Sequence, residues 1–166
     1  MTLPASKFLF PILALLVIAG GAYEWSRRQP ANQIPALFAR LETAFQDKDA
    51  SAVMACVHRD YDLAGTWPQL LQNREHARGD AQRFLAQAFL LSRDEPITAS
   101  VTMTSWNLLP DGSASAVINL GIQGGPFSSA VPLLSNHRFL VKKSSWMTGT
   151  WAITGHDPIA ANLPSL

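Results

Sequence analysis

At 166 residues the chain is long enough for one domain with a sizeable core and too short for two ordinary ones. Charged residues make up 15% against 48% apolar; setting aside Lys7, Arg27, Arg28 and Glu24 near the N-terminus, 10 basic face 11 acidic side chains, which leaves no electrostatic footprint for nucleic acid. The single cysteine, Cys56, excludes an intramolecular disulfide and a multi-cysteine zinc site.

The first element is an uncharged block, Phe8 to Ala22, preceded by Lys7 and followed by Tyr23, Glu24, Trp25, Arg27 and Arg28. Its 15 residues match a secretory h-region and fall short of the roughly 20 that span a bilayer comfortably. Two readings follow: cleavage after Gly20-Gly21-Ala22, or an uncleaved signal anchor that meets the membrane through residues 8–25. The anchor is preferred, because the small-residue site is weak and aromatics flank the block. Residues 1–30 are therefore assigned to anchor and tether and 31–166 to the domain, which faces the periplasm from the inner membrane, or is secreted if the block is removed.

Ile34, Leu37, Phe38, Leu41 and Phe45 then recur at steps of three and four, the spacing of one helical face. Asp47-Lys48-Asp49 breaks the pattern, and Asp49 is a good N-cap for a second helix to about Val57. Cys56, among Ala52, Val53, Met54, Ala55 and Val57, reads as a buried, inert thiol. His58 to Leu63 suits a brief strand or turn. A third helix follows, capped by Asn73, with Ala77, Ala81, Phe84, Leu85, Ala88 and Phe89 as its apolar stripe, and Pro96 stops it.

Beyond Pro96 the period switches to two. Ile97, Ala99, Val101 and Met103 alternate with polar residues, Pro110-Asp111-Gly112 turns the chain, and Ala114 to Ile122 alternate again. His137, Phe139 and Val141 mark a third strand and Thr150 to Thr154 a fourth. Three helices followed by a four-strand meander give an α+β layout, with helices on one face of an antiparallel sheet.

Several stretches resemble the nuclear transport factor 2-like superfamily, which includes SnoaL-like polyketide cyclases and ketosteroid isomerases. They are LFARLETAFQDKDASAVMACVHRDY from Leu37, Asn73-Arg74-Glu75 opening a helix that ends in Ala88-Phe89, the Asp-Gly hairpin, and WAITGHD through Asp157. The resemblance implies a cone-shaped curved antiparallel sheet packed on three N-terminal helices, here preceded by a hydrophobic helix. It also implies kinship with members carrying one transmembrane segment, some of them components of bacterial envelope machines. The isomerase base position falls near Ala64 or Gly65 and its tyrosine near Leu41, and neither can transfer a proton, so that chemistry is not carried over.

The polar candidates that remain are His137, Asp60 and Tyr61, with His58 and Asp62 beside them. His137, in phase with Phe139 and Val141, would work with Asp60 or Tyr61 as partner. The plainer account places His58 and Arg59 at a helix C-terminus, where cations complement the dipole, and has Asp60 and Tyr61 anchor a turn. His156-Asp157 reads as a C-terminal turn, His76 as solvated, and Trp146 as an exposed contact aromatic. Phe38, Met103, Phe139 and Trp151, with Trp106, are the candidates to line a ligand cavity. No cofactor and no metal site is expected. The functional expectation is a non-catalytic, membrane-anchored envelope domain that binds a protein partner or a small apolar ligand, or pairs as a homodimer. The alternative is a small general acid/base enzyme, dehydratase- or cyclase-like, acting on a hydrophobic substrate.

Overall fold

A computed structural model describes residues 20–26, 28–63, 75–124, 134–144 and 150–158. Helix α1 runs Pro30–Gln46, α2 Ala50–Ala55 and α3 Ala77–Leu91; strands β1 Thr98–Leu108, β2 Ala114–Gln123, β3 Leu134–Lys143 and β4 Trp151–Pro158 form one antiparallel sheet in the order β1-β2-β3-β4. The α+β layout with a meander is thus observed. Residues 8–19 of the expected anchor lie outside the described residues, as do Asn73 and Trp146. Among the described residues no helix is long and apolar enough to cross a membrane.

The first helix begins earlier than its apolar face suggests. Pro30 occupies its first position, where a missing N–H is no loss, and so part of the expected tether is helical. Ile34, Leu37, Phe38, Leu41, Ala44 and Phe45 are all buried, each large side chain contributing about 1.5–3 kcal/mol by leaving water. Phe38 meets Phe139 edge to face at 5.7 Å, and Phe45 meets Phe89 likewise at 6.0 Å.

The corner between α1 and α2 is tight enough to hold Lys48 at φ 57°. Asp49 caps α2 as expected, accepting the Ala52 N–H at 2.9 Å. Lys48 is committed too: its ammonium donates to the carbonyls of Ser92, Arg93 and Glu95, just beyond α3, where a cation complements the helix dipole. Arg78 does the same for α2, donating to the carbonyls of Met54 and Val57. The expected cations fare differently. His58 is buried, and Arg59 points to solvent. Phe84 also departs from expectation: it is exposed, and α3 buries Ala77, Ala81, Ala88 and Phe89 instead.

Each strand pair carries one register shift, at Met103/Ser105, Ile118/Leu120 and Leu140/Val141. Such irregularities bend a sheet and reset which side chains face inward. The expected brief strand after α2 is a single parallel bridge, Val57 to Ile153, closed by His58 N–H to Ile153 O at 2.7 Å and Ile153 N–H to Cys56 O at 2.8 Å. That bridge ties the end of α2 to β4.

Candidate functional site

The site is built by the last two strands and the loop after α2. In β3, His137, Phe139 and Val141 alternate onto the inner face, and Phe139 and Val141 are buried in the core. In β4, Trp151 and Ile153 share that face. Strict alternation would turn His156 outward, but Thr154 is an extra residue opposite Leu140/Val141. Its hydroxyl donates to Leu140 O at 3.2 Å, fixing the bulge. After the bulge Gly155 pairs with Leu140 and His156 with Phe139, so His156 joins the inner face.

Register then aligns two rows across the sheet. One runs Trp106, Ala116, Phe139, His156; the next runs Met103, Ile118, His137. The middle of each row is buried, whereas Met103, Trp106, His137 and His156 remain half-buried. The His156 ring lies 5.7 Å from His137 and 5.8 Å from Phe139, both near-parallel. The bridge at Val57 brings in the loop, and Tyr61 Oη meets His156 Nδ1 at 2.5 Å.

Electrostatically the cluster favours neutral imidazole. Burial pushes the His156 pKa below its ordinary 6.5, the neighbouring His137 lowers it further, and Asp157 opposes them. A neutral His156 accepting the tyrosine proton at Nδ1 carries its own at Nε2. His137 Nδ1 is buried and has no hydrogen-bond partner among the described residues. Such an atom is uncommon in a native fold.

Placement of the other candidates follows. His137 and Tyr61 belong to one cluster, although the residue bonded to Tyr61 is His156, expected in a turn and found within β4. Asp60 is 61% exposed and its carboxylate lies 3.6 Å from Arg59, so it lies apart from the inner face. His58 Nδ1 accepts the Asp60 N–H, an anchored turn as the plainer account holds. Asp62 and His76 are exposed. Phe38, Phe139 and Trp151 are packed core residues, and Met103 borders them half-buried. Burial raises the Cys56 pKa while Arg40 lowers it, in keeping with an inert thiol. No group of three or more metal-ligating side chains occurs among the described residues. Two surface grooves of about 600 and 550 Å³ lie elsewhere, one between α2 and α3 and one along α1 and α2.

The signal for His156 was present in the sequence. Glycine inside a strand marks a bulge, and Thr154-Gly155 stands just before the histidine.

No family model matches the chain, and no curated protein does. Among solved structures it is similar to a domain of unknown function with a cystatin-like fold from Nostoc punctiforme, at 14% identity and a TM-score of 0.51, over 77% of this chain and 76% of that one. What the two share is a fold.

Proposed function

We propose that this chain is a membrane-anchored, non-catalytic binding domain of the cone-shaped, nuclear transport factor 2-like class, which takes a small apolar molecule against the inner face of its sheet. The observation that carries the reading is His137 Nδ1, a buried polar atom lacking a partner among the described residues, on the sheet face that also carries half-buried Met103 and Trp106 two strands away. Buried polar groups are normally paired, so an orphan sharing a face with accessible apolar side chains suits a ligand whose one polar group completes the set. The cystatin-like neighbour and the three bulges, which curve a sheet, support the fold part of this reading. The uncharged stretch Phe8 to Ala22, flanked by Tyr23 and Trp25, supports an anchor that presents the domain to the periplasm.

The test is titration of the detergent-solubilised full chain with small aromatic alcohols, ketones and acids, read by tryptophan fluorescence. Saturable binding by at least one class, weakened about tenfold or more in His137→Leu, is the expected result. Absence of saturable binding, or binding that His137→Leu leaves untouched, overturns the reading.

One observation favours a second reading. A neutral His156 hydrogen-bonded to Tyr61 is a general acid/base pair in the making, suited to dehydratase- or cyclase-type chemistry on a hydrophobic substrate. Turnover of a bound compound that disappears in both Tyr61→Phe and His156→Gln would replace the first reading with this one.

A further inference from the structure

The charge distribution of the sheet says what kind of polar group the site accepts. Across all four strands the only carboxylate is Asp157. It pairs with Arg138 in register and is exposed, on the side away from the core. The inner face of β3 and β4 carries His137, His156 and Lys143, whose ammonium stands 6.0 Å over the Trp151 ring. From α1 the side chain packed against Phe139 is Phe38. Glu42 of that helix is engaged by Gln46, which reaches the β1 edge. From the loop, Tyr61 offers a hydroxyl and Asp60 faces solvent. The ionisable groups at the polar end of the face are thus the two imidazoles and the Tyr61 hydroxyl, and the one carboxylate that acts on them, Asp157, is exposed on the opposite face.

We infer that the ligand is an apolar molecule bearing one carboxylate, held by His137 and His156 and bound with uptake of a proton by that pair. This rests on the binding reading above and names its ligand class. Two imidazoles with rings 5.7 Å apart disfavour a second charge on each other, and an anion bonded at the ring edges offsets that penalty. The bond formed is then charge-assisted, roughly twice as strong as one between neutral groups, in a setting of half-buried apolar walls. A neutral alcohol gains only the ordinary bond. The basic inner face also imposes no repulsion on an acid.

The test compares 3-phenylpropionate with 3-phenylpropanol on the full chain by calorimetry, in two buffers of different ionisation enthalpy. The acid is expected to bind about tenfold tighter than the alcohol near neutral pH, with net proton uptake, and to tighten as pH falls from about 8 to about 6 across the imidazole range. His137→Leu and His156→Leu should each abolish the acid's advantage. His137→Asn, which keeps a polar group that cannot titrate, should retain alcohol binding and weaken the pH dependence; it also serves if the leucine variants fail to fold. Alcohol binding as tight as acid, and still sensitive to His137→Leu, overturns the acid inference while sparing the binding reading. Binding of neither compound, or binding indifferent to His137→Leu and His137→Asn alike, overturns both.

Discussion

The inner face of β3 and β4 has two ends that obey different rules. Toward Val141, Ile153 and Trp151 the buried side chains are apolar and pack with α1, Leu37 and Val141 being fully buried and Lys143 standing exposed at the rim. Three residues away, past the Thr154 bulge, the same face turns to His137 and His156, half-buried, with an orphaned ring nitrogen. The first end is close-packed, although Trp151 Nε1 there is also buried without a partner among the described residues; the second is less sealed and carries two imidazoles. The proposed binding reading therefore divides the face, with stability assigned to the first end and the ligand to the second.

The comparison breaks most readily at the sealed end. Leu37→Ala removes a fully buried side chain from α1 and should cost about 3 kcal/mol, read as a lower urea midpoint with an unchanged slope. A loss below about 1 kcal/mol would mean that this end is no better packed than the other.

At the border stands Phe139, touching Phe38 on one side and His156 on the other. Phe139→Leu should cost about 1.5 kcal/mol, part from lost volume and part from lost ring contacts. A double-mutant cycle with Phe38→Leu apportions these, and coupling of about 0.5 kcal/mol or more assigns the ring contact to the sealed end.

Beyond the border the effects shrink. Tyr61→Phe deletes the hydroxyl that meets His156 Nδ1 and should cost about 1 kcal/mol, the net value of one partly buried hydrogen bond. Nitrogen-15 chemical shifts of His156 should move in the same variant; shifts left in place would deny that the bond forms.

How much of this was legible depended on which regularity each residue obeys. Leu37, Phe38, Leu41 and Phe45 repeat at helical spacing, and Asp49 stands where a cap is needed, so α1 and α2 could be read from local pattern alone. The meander was legible for the same reason, since alternation and the Pro110-Asp111-Gly112 turn are local signals. His137 was legible because β3 alternates strictly through it. His156 was legible only through Gly155: an alternation count assigns it outward, and the extra residue at Thr154 that the glycine hints at reverses that. Arg78 was hidden, because its three carbonyl partners lie 20 or more residues away and no sequence period encodes them. Phe84 misled for the opposite reason: it fits an apolar stripe, but α3 is covered on its other side.

A finer test of the polar end is its response to pH. His156 binds protons less readily folded than unfolded, so its contribution to stability is complete above the ordinary 6.5 and is lost as pH falls below that toward the folded value. Urea midpoints measured between about pH 7.5 and pH 5 should therefore decline, and more steeply than in His156→Gln. Parallel curves for the two proteins would show that burial at this end is too slight to matter.

The smallest effect on stability should come from the residue to which the proposed binding reading gives the largest role. His137→Leu replaces a ring whose Nδ1 has no partner among the described residues with an apolar group on an apolar face. Removing an unsatisfied buried polar atom relieves its desolvation penalty, while the lost stack on His156 works the other way. The two nearly cancel, and the expected net is between zero and about 1 kcal/mol of stabilisation, visible as an unchanged or slightly raised melting temperature. Alongside a lost ligand response, that result means the imidazole is retained against the interest of the fold. A clear drop in melting temperature would instead mean that His137 is held by the packing it provides, and the two ends of the face would follow one rule after all.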